Sequence, residues 1–106
     1  MYALYIKERE GAEIYEDERG FFTYVVENDI FQINDLFILP ELRGNGVGRD
    51  FSNLIDEFAR KNDCRICVCT TCTDAKNWQV SEAYILASGY TKIKQDATLI
   101  YYKKEL

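Results

Sequence analysis

The chain has 106 residues, no histidine, and 18 acidic against 13 basic residues, for a formal net charge of −5. That length suits one domain over 1–106, and a composition 47% hydrophobic and 29% charged suits an ordinary globule, with no apolar run near the ~20 residues of a membrane span. The acidity argues against nucleic acid, whose binding rests on neutralised phosphates, and the missing histidine excludes Ser-His-Asp and Cys-His relays and His-ligated metals.

Residues 2–7 are rich in aromatic and aliphatic side chains and predict a first strand. The same stretch lacks the basic leader and cleavage site of a secretory signal, so a cytoplasmic location is expected. Residues 12–16 predict a weaker strand ahead of the turn Asp17-Glu18-Arg19-Gly20, and 21–27 (FFTYVVE) a clear one. Asn28-Asp29 is a turn signal that makes 30–39 the partner strand of a hairpin. Strict alternation along it puts Gln32, Asn34, Leu36 and Ile38 on one face and Phe31, Ile33, Asp35 and Phe37 on the other. Pro40 ends the strand, and from Val47 the apolar positions 47, 51, 54, 55, 58 and 59 trace an amphipathic helix to about Lys61. Residues 65–71 predict another strand. Residues 77–88 predict a helix with Val80, Ala83, Tyr84 and Ala87 on one face, stopped by Gly89. Two strands, 90–94 and 98–104, close an α/β layer fold.

Between the fourth strand and the first helix lies Arg43-Gly44-Asn45-Gly46-Val47-Gly48. A strand feeding a glycine-rich turn that opens a helix is an anion-binding arrangement, because first-turn N–H groups lack intrahelical partners and the helix dipole is positive there. A Walker loop is excluded, since Gly48 is followed by Arg49-Asp50 rather than Lys-Ser/Thr. The spacing G-x-G-x-G also departs from the dinucleotide fingerprint G-x-G-x-x-G. Arg43-x-x-Gly46-x-Gly48, in the string from Leu36 to Gly48, instead resembles the acyl-CoA pyrophosphate loop of the GNAT N-acetyltransferase superfamily, and the likeness continues to Gly89-Tyr90.

The resemblance implies a mixed, mostly antiparallel central sheet flanked by helices, with the family's usual N-terminal helix pair lacking, since only a turn fits between Lys7 and Ala12. It implies acetyl-CoA as co-substrate and no metal. Backbone groups of Phe37 and Ile38 would hold the pantetheine arm, N–H groups from Arg43 through Gly44, Asn45, Gly46 and Val47 to Gly48 the pyrophosphate, and Asn77 the pantetheine again. Direct attack by an amine would need no acyl-enzyme. Tyr84 is the candidate acid for the departing thiolate when counted from Asn77, whereas Ile85 fills that slot when counted back from Gly89. The usual glutamate position falls on Gln32, which cannot act as a base but could hold a water. Water-mediated deprotonation is therefore the default, with Asp35, turned to the opposite face by alternation, and Glu41 as the carboxylate candidates.

Cys64, Cys67, Cys69 and Cys72 lack the ~12–20-residue separation that lets two Cys pairs wrap one zinc, so buried reduced thiols are expected. The first 41 residues hold ten acids against three bases, a field suited to a cationic amine acceptor. A protein lysine or N-terminus is the favoured acceptor, with no nucleic acid or membrane partner. A small cationic amine, a pocket completed by a second copy in a homodimer, and a non-catalytic CoA-binding module stand as alternatives.

Overall fold

The computed structural model describes residues 11–106 and Leu4. Leu4 is helical and exposed, against the strand expected over 2–7. The other residues of that strand, and the stretch on which the expected lack of a helix pair falls, lie outside the described residues.

Among the described residues, six strands form one sheet in the order β1-β2-β3-β4-β6-β5. In chain order these are β1 (Glu13–Asp17), β2 (Gly20–Glu27), β3 (Ile30–Ile38), β4 (Ile66–Cys72), β5 (Thr91–Asp96) and β6 (Leu99–Glu105). A short 3-10 turn, Pro40–Leu42, leads from β3 toward helix α1 (Val47–Lys61), and helix α2 (Trp78–Ala87) joins β4 to β5. All pairings are antiparallel except β3 with β4, which α1 connects as a crossover. Each expected element within the described residues is present to within about two residues, the spread that helix and strand ends commonly show.

Helices α1 and α2 lie on one face of the sheet. Lys104 and Tyr102, alternate residues of β6, reach Asp56 of α1 (2.6 Å) and Glu82 of α2. The expected alternation along β3 breaks. Thr23 pairs with Asp35 and Tyr24 with Ile33, leaving Asn34 as the extra residue of a β-bulge. The bulge turns Phe31, Ile33, Leu36 and Ile38 together toward the core under α1, and sets Asp35 and Phe37 on the opposite face with Gln32. The sequence carries its trace in the apolar spacing 31, 33, 36, 38 around the polar pair Asn34-Asp35.

Helix α2 corrects a second expectation. Val80 is 71% exposed, and Ala83 and Ala87 face solvent; Trp78, Glu82, Tyr84, Ile85 and Ser88 turn inward instead. Two alanines and a valine fit the helical period but bury little area, so the large Trp78 and Ile85 decide the face. Gly89, at φ +98°, closes the helix in a Schellman turn, with Tyr90 N–H bonded to Ile85 O and Gly89 N–H to Leu86 O.

Candidate functional site

The parallel pairing of β3 with β4 covers only three residue pairs, Ile30 with Ile66, Phe31 with Cys67 and Gln32 with Val68. Beyond them the two strands part, although β3 runs on to Ile38 and β4 to Cys72. The sheet therefore contains a wedge whose two sides are open strand edges, with main-chain groups available to an extended ligand. A cleft of about 880 Å³ fills it, floored by Ser52 and Ile55 of α1 and walled by Leu36, Ile38, Thr71 and Ile85.

The glycine loop forms the mouth of this cleft. Gly44 and Gly46 have φ of +82° and +84°, and a Cβ on either would meet no atom within 4 Å. Packing does not require these glycines; the left-handed backbone does, and that conformation gathers successive N–H groups into an anion-binding nest. Gly46 caps α1 with no side-chain hydrogen bond, so the first-turn donors at Val47 and Gly48 have no side-chain cap. Gly48 is glycine for another reason: its Cβ position lies 3.0 Å from the Tyr84 ring. Of the expected cradle, the Arg43 N–H is already used, bonded to Pro40 O. Asn45 is exposed at the tip.

The Arg43 guanidinium folds back over the Phe37 ring at 5.4 Å and donates through Nε to Ile38 O at 2.9 Å. It thereby occupies one of the backbone groups expected to hold a pantetheine arm. Phe37 itself is 40% exposed and stacks on Phe21 outside the core. Arg49 is exposed on the next turn. Across the mouth, Lys76 and Asn77 line the opposite rim; Asn77 caps α2 in a left-handed conformation, φ 62°. Sequence reading missed Lys76, whose one signal was adjacency to Asn77.

Tyr84 lines the cleft, and its hydroxyl donates to Gly48 O at 2.6 Å. Burial raises its pKa, which keeps it a protonated donor at neutral pH. Ile85, the competing slot, lines the cleft beside it. Asp35 also reaches the cleft and accepts from Thr23 Oγ1 at 3.1 Å; the bulge overturns its expected place on the face away from Gln32. Glu41 is exposed in the 3-10 turn.

A second opening of about 300 Å³ lies on the reverse face, lined by Gln32, Val68, Thr70, Ile93 and Tyr101. Gln32 Nε2 there donates to Asn34 Oδ1 at 2.9 Å. Ile33, Asn34, Cys69 and Thr70 line both openings, so the wedge joins the two faces of the sheet. All four cysteines are free thiols. Burial pushes Cys67 up to about 11 and Cys69 to about 12, so both stay protonated and unreactive at neutral pH.

The acidic stretch of the first strands sits at the far edge of the sheet, two strands from the wedge. Asp17 is engaged there by Arg19 at 2.6 Å, while Glu16 and Glu18 face solvent. No helix among the described residues is long and apolar enough to cross a membrane.

The sequence matches no protein-family model and no curated protein. Solved structures do resemble it. An acetyltransferase assigned to the GNAT family from Desulfovibrio desulfuricans aligns with a TM-score of 0.74 at 15% identity, over 89% of this chain and 69% of that one. The PaiA N-acetyltransferase of Thermoplasma acidophilum, solved with coenzyme A, gives 0.75 at 13% identity over 95% and 66%. Ribosomal-protein-alanine N-acetyltransferase from Brucella melitensis gives 0.68 at 20% identity over 97% and 74%. The chain thus spans about two thirds to three quarters of the length of these structures, and its fold is that of the GNAT acetyltransferases.

Proposed function

We propose that the protein is an N-acetyltransferase that moves an acetyl group from acetyl-CoA to a cationic amine by direct attack. The observation that carries this is the wedge with an uncapped, left-handed glycine nest at its mouth. An extended pantetheine arm carries amides that can pair with the open edges of β3 and β4, and its pyrophosphate meets the first-turn N–H groups of α1. Lys76 and Arg43 supply positive charge at the rims; Arg43 must first release Ile38 O, an exchange of one backbone acceptor for a phosphate. The coenzyme A complex of a structural neighbour supports this reading.

The thioester then belongs where the two openings meet, with the amine entering from the reverse face. Gln32, Asn34 and Thr70 there offer neutral acceptors to an ammonium. Exposed Glu16 and Glu18 steer cations from the sheet edge without touching them. A protein lysine or N-terminus is the favoured acceptor, and a neighbour named as a ribosomal-protein-alanine N-acetyltransferase supports the class. Tyr84 is the acid for the thiolate once its hydroxyl turns from Gly48.

A second reading, a CoA-binding module without turnover, is favoured by that same hydrogen bond, which commits the Tyr84 proton to a main-chain carbonyl. Thiol release from acetyl-CoA across lysine peptides, N-terminal peptides and polyamines separates the two. Calorimetric titration of Gly46→Val tests the site itself: a branched side chain should cut CoA affinity at least tenfold in a folded protein, and undiminished affinity would remove the nest from the reading.

A further inference from the structure

The usual glutamate position holds Gln32; Asp35 lines the cleft but is exposed on β3 and accepts from Thr23, and Glu41 is exposed in the 3-10 turn. The structure contains a different carboxylate route. Tyr102 is fully buried, and its hydroxyl donates to a carboxylate oxygen of Glu82 on α2. A tyrosine hydroxyl has one proton to give. The 2.9 Å contact between Thr71 Oγ1 and Tyr102 Oη can therefore run only one way, with Thr71 donating. Thr71 has in turn given its single proton, so its remaining lone pairs are acceptors, and it lines the cofactor cleft. The three groups form a hydrogen-bond chain with every donor pointing out of the wedge and ending on the half-buried Glu82.

We propose that Thr71, Tyr102 and Glu82 form a proton relay that takes the proton of the acceptor ammonium out of the wedge and leaves it on the Glu82 carboxylate. This rests on the acetyltransferase reading above. As the ammonium N–H hands its proton to Thr71 Oγ1, Thr71 hands its own to Tyr102 Oη, and Tyr102 hands its own to Glu82. The balance is one ammonium and one carboxylate in, one neutral amine and one carboxylic acid out. The amine lone pair then attacks the thioester carbonyl, the thiolate leaves with the electron pair of the broken C–S bond, and the second nitrogen proton ends on that sulfur by way of Tyr84, giving amide and thiol.

The surroundings suit relay rather than ionisation of the middle group. Burial and the Glu82 hydrogen bond push the Tyr102 hydroxyl up to about 12, so it passes protons while staying neutral. The other ionisable group acting on it is Cys69, itself held protonated by burial. The relay's two hydrogen bonds join residues 20 and 31 positions apart in sequence, which is why no local motif announces them.

The test uses the full chain, acetyl-CoA and an N-terminally blocked lysine peptide. Glu82→Gln keeps the size and the acceptor oxygen but cannot hold the proton. It should lower kcat at pH 7 by about 10²-fold, the low end for general-base assistance. The deficit should close as pH approaches ~10.4, where solvent deprotonates the lysine unaided. A variant that merely loosens α2 would lose a constant factor at every pH. Thr71→Val, isosteric and without the hydroxyl, should show the same pH-closing deficit, and the double variant should be no worse than either single one. Unchanged CoA affinity by calorimetry certifies each fold. Wild-type kcat in Glu82→Gln at pH 7, or a deficit equal at all pH values, overturns the relay in an active enzyme. Failure of the unmutated protein to acetylate any amine overturns the acetyltransferase reading, and the relay with it.

Discussion

On one side of the wedge, β1, β2 and β3 meet α1 through rings. Phe22 has Tyr15, Phe58, Tyr24 and Phe51 around it at centroid distances of 5.3, 5.5, 5.9 and 6.2 Å, and Tyr24 stacks on Phe31 at 4.6 Å. On the other side, β4 and β6 meet the helices through polar groups: Lys104 with Asp56, and Thr71 with Tyr102 and Glu82. The first half gains its stability from area and dispersion, which tolerate no titration and fix no proton. The second half holds largely buried ionisable groups, each needing a partner, and their hydrogen-bond network reaches the cleft at Thr71. The glycine loop leaves from the end of the ring-packed half, and the hydrogen-bonded polar groups belong to the other. The wedge is the seam between a platform and a polar apparatus.

That contrast can be broken at its strongest point first. Phe22→Ala removes the ring that four others touch and should destabilise by about 3–5 kcal/mol, read as a fall in urea midpoint. Next, Lys104→Met leaves Asp56, whose Oδ1 already has no hydrogen-bond partner, without its cation. About 2–3 kcal/mol should be lost, below the usual figure for a fully buried pair because both side chains keep some exposure. Adding Asp56→Leu should recover most of it, a rescue that no second change offers Phe22→Ala. If the double variant stays as unstable as the single, the polar half is held together by charge after all.

Tyr84→Phe probes the joint between α1 and α2. Loss of the bond to Gly48 O should cost about 1 kcal/mol of stability. Should Tyr84 also protonate the thiolate, kcat falls at least tenfold while KM for acetyl-CoA holds, the pattern of an interaction made in the transition state. The smallest effect belongs to Asp17→Asn at the sheet edge. The Arg19 hydrogen bonds hold the Asp17 carboxyl well below the usual carboxylate range. Its folded pKa is depressed, so its contribution is present above the unfolded value of 3.8 and is lost as pH falls below it. The variant should unfold at a midpoint lower by the equivalent of about 0.5–1 kcal/mol at pH 7, with the gap narrowing below pH ~4. A gap that is constant to pH 2 would assign the effect to the turn rather than to the charge.

Which parts of this were legible beforehand follows the same division. Helix α1 can be read to its end residues, because its stripe is both periodic and made of large side chains such as Phe51, Leu54 and Phe58. The glycine loop is legible because backbone conformation selects residue type directly at Gly44 and Gly46. Alternation failed on β3 because a bulge costs one residue of phase, and Asp35 changed faces with it. On α2 the period was satisfied by small residues at 80, 83 and 87 that bury little. The polar half was the least readable. Lys104 finds Asp56 across 48 positions and Tyr102 finds Glu82 across 20, and a charged residue carries no local mark of a distant partner. The motif's glutamate position falls on Gln32 of β3, and the carboxylate route proposed above runs through Thr71, Tyr102 and Glu82, residues that no motif singles out.

The early parting of β3 and β4 also bears on how this protein should be handled and folded. A sheet with a gap in its middle has four edges instead of two, and the inner pair is as ready as any outer edge to accept a foreign strand. On the proposed reading, a pantetheine arm along both inner edges would act as a missing rung, joining β3 and β4 beyond the three residue pairs they share. By mass action, a ligand at 100 times its Kd adds about 2.7 kcal/mol to the folded state. The same compound that supplies the acetyl group would then serve as a splint, and cofactor supply during synthesis would govern yield as well as turnover.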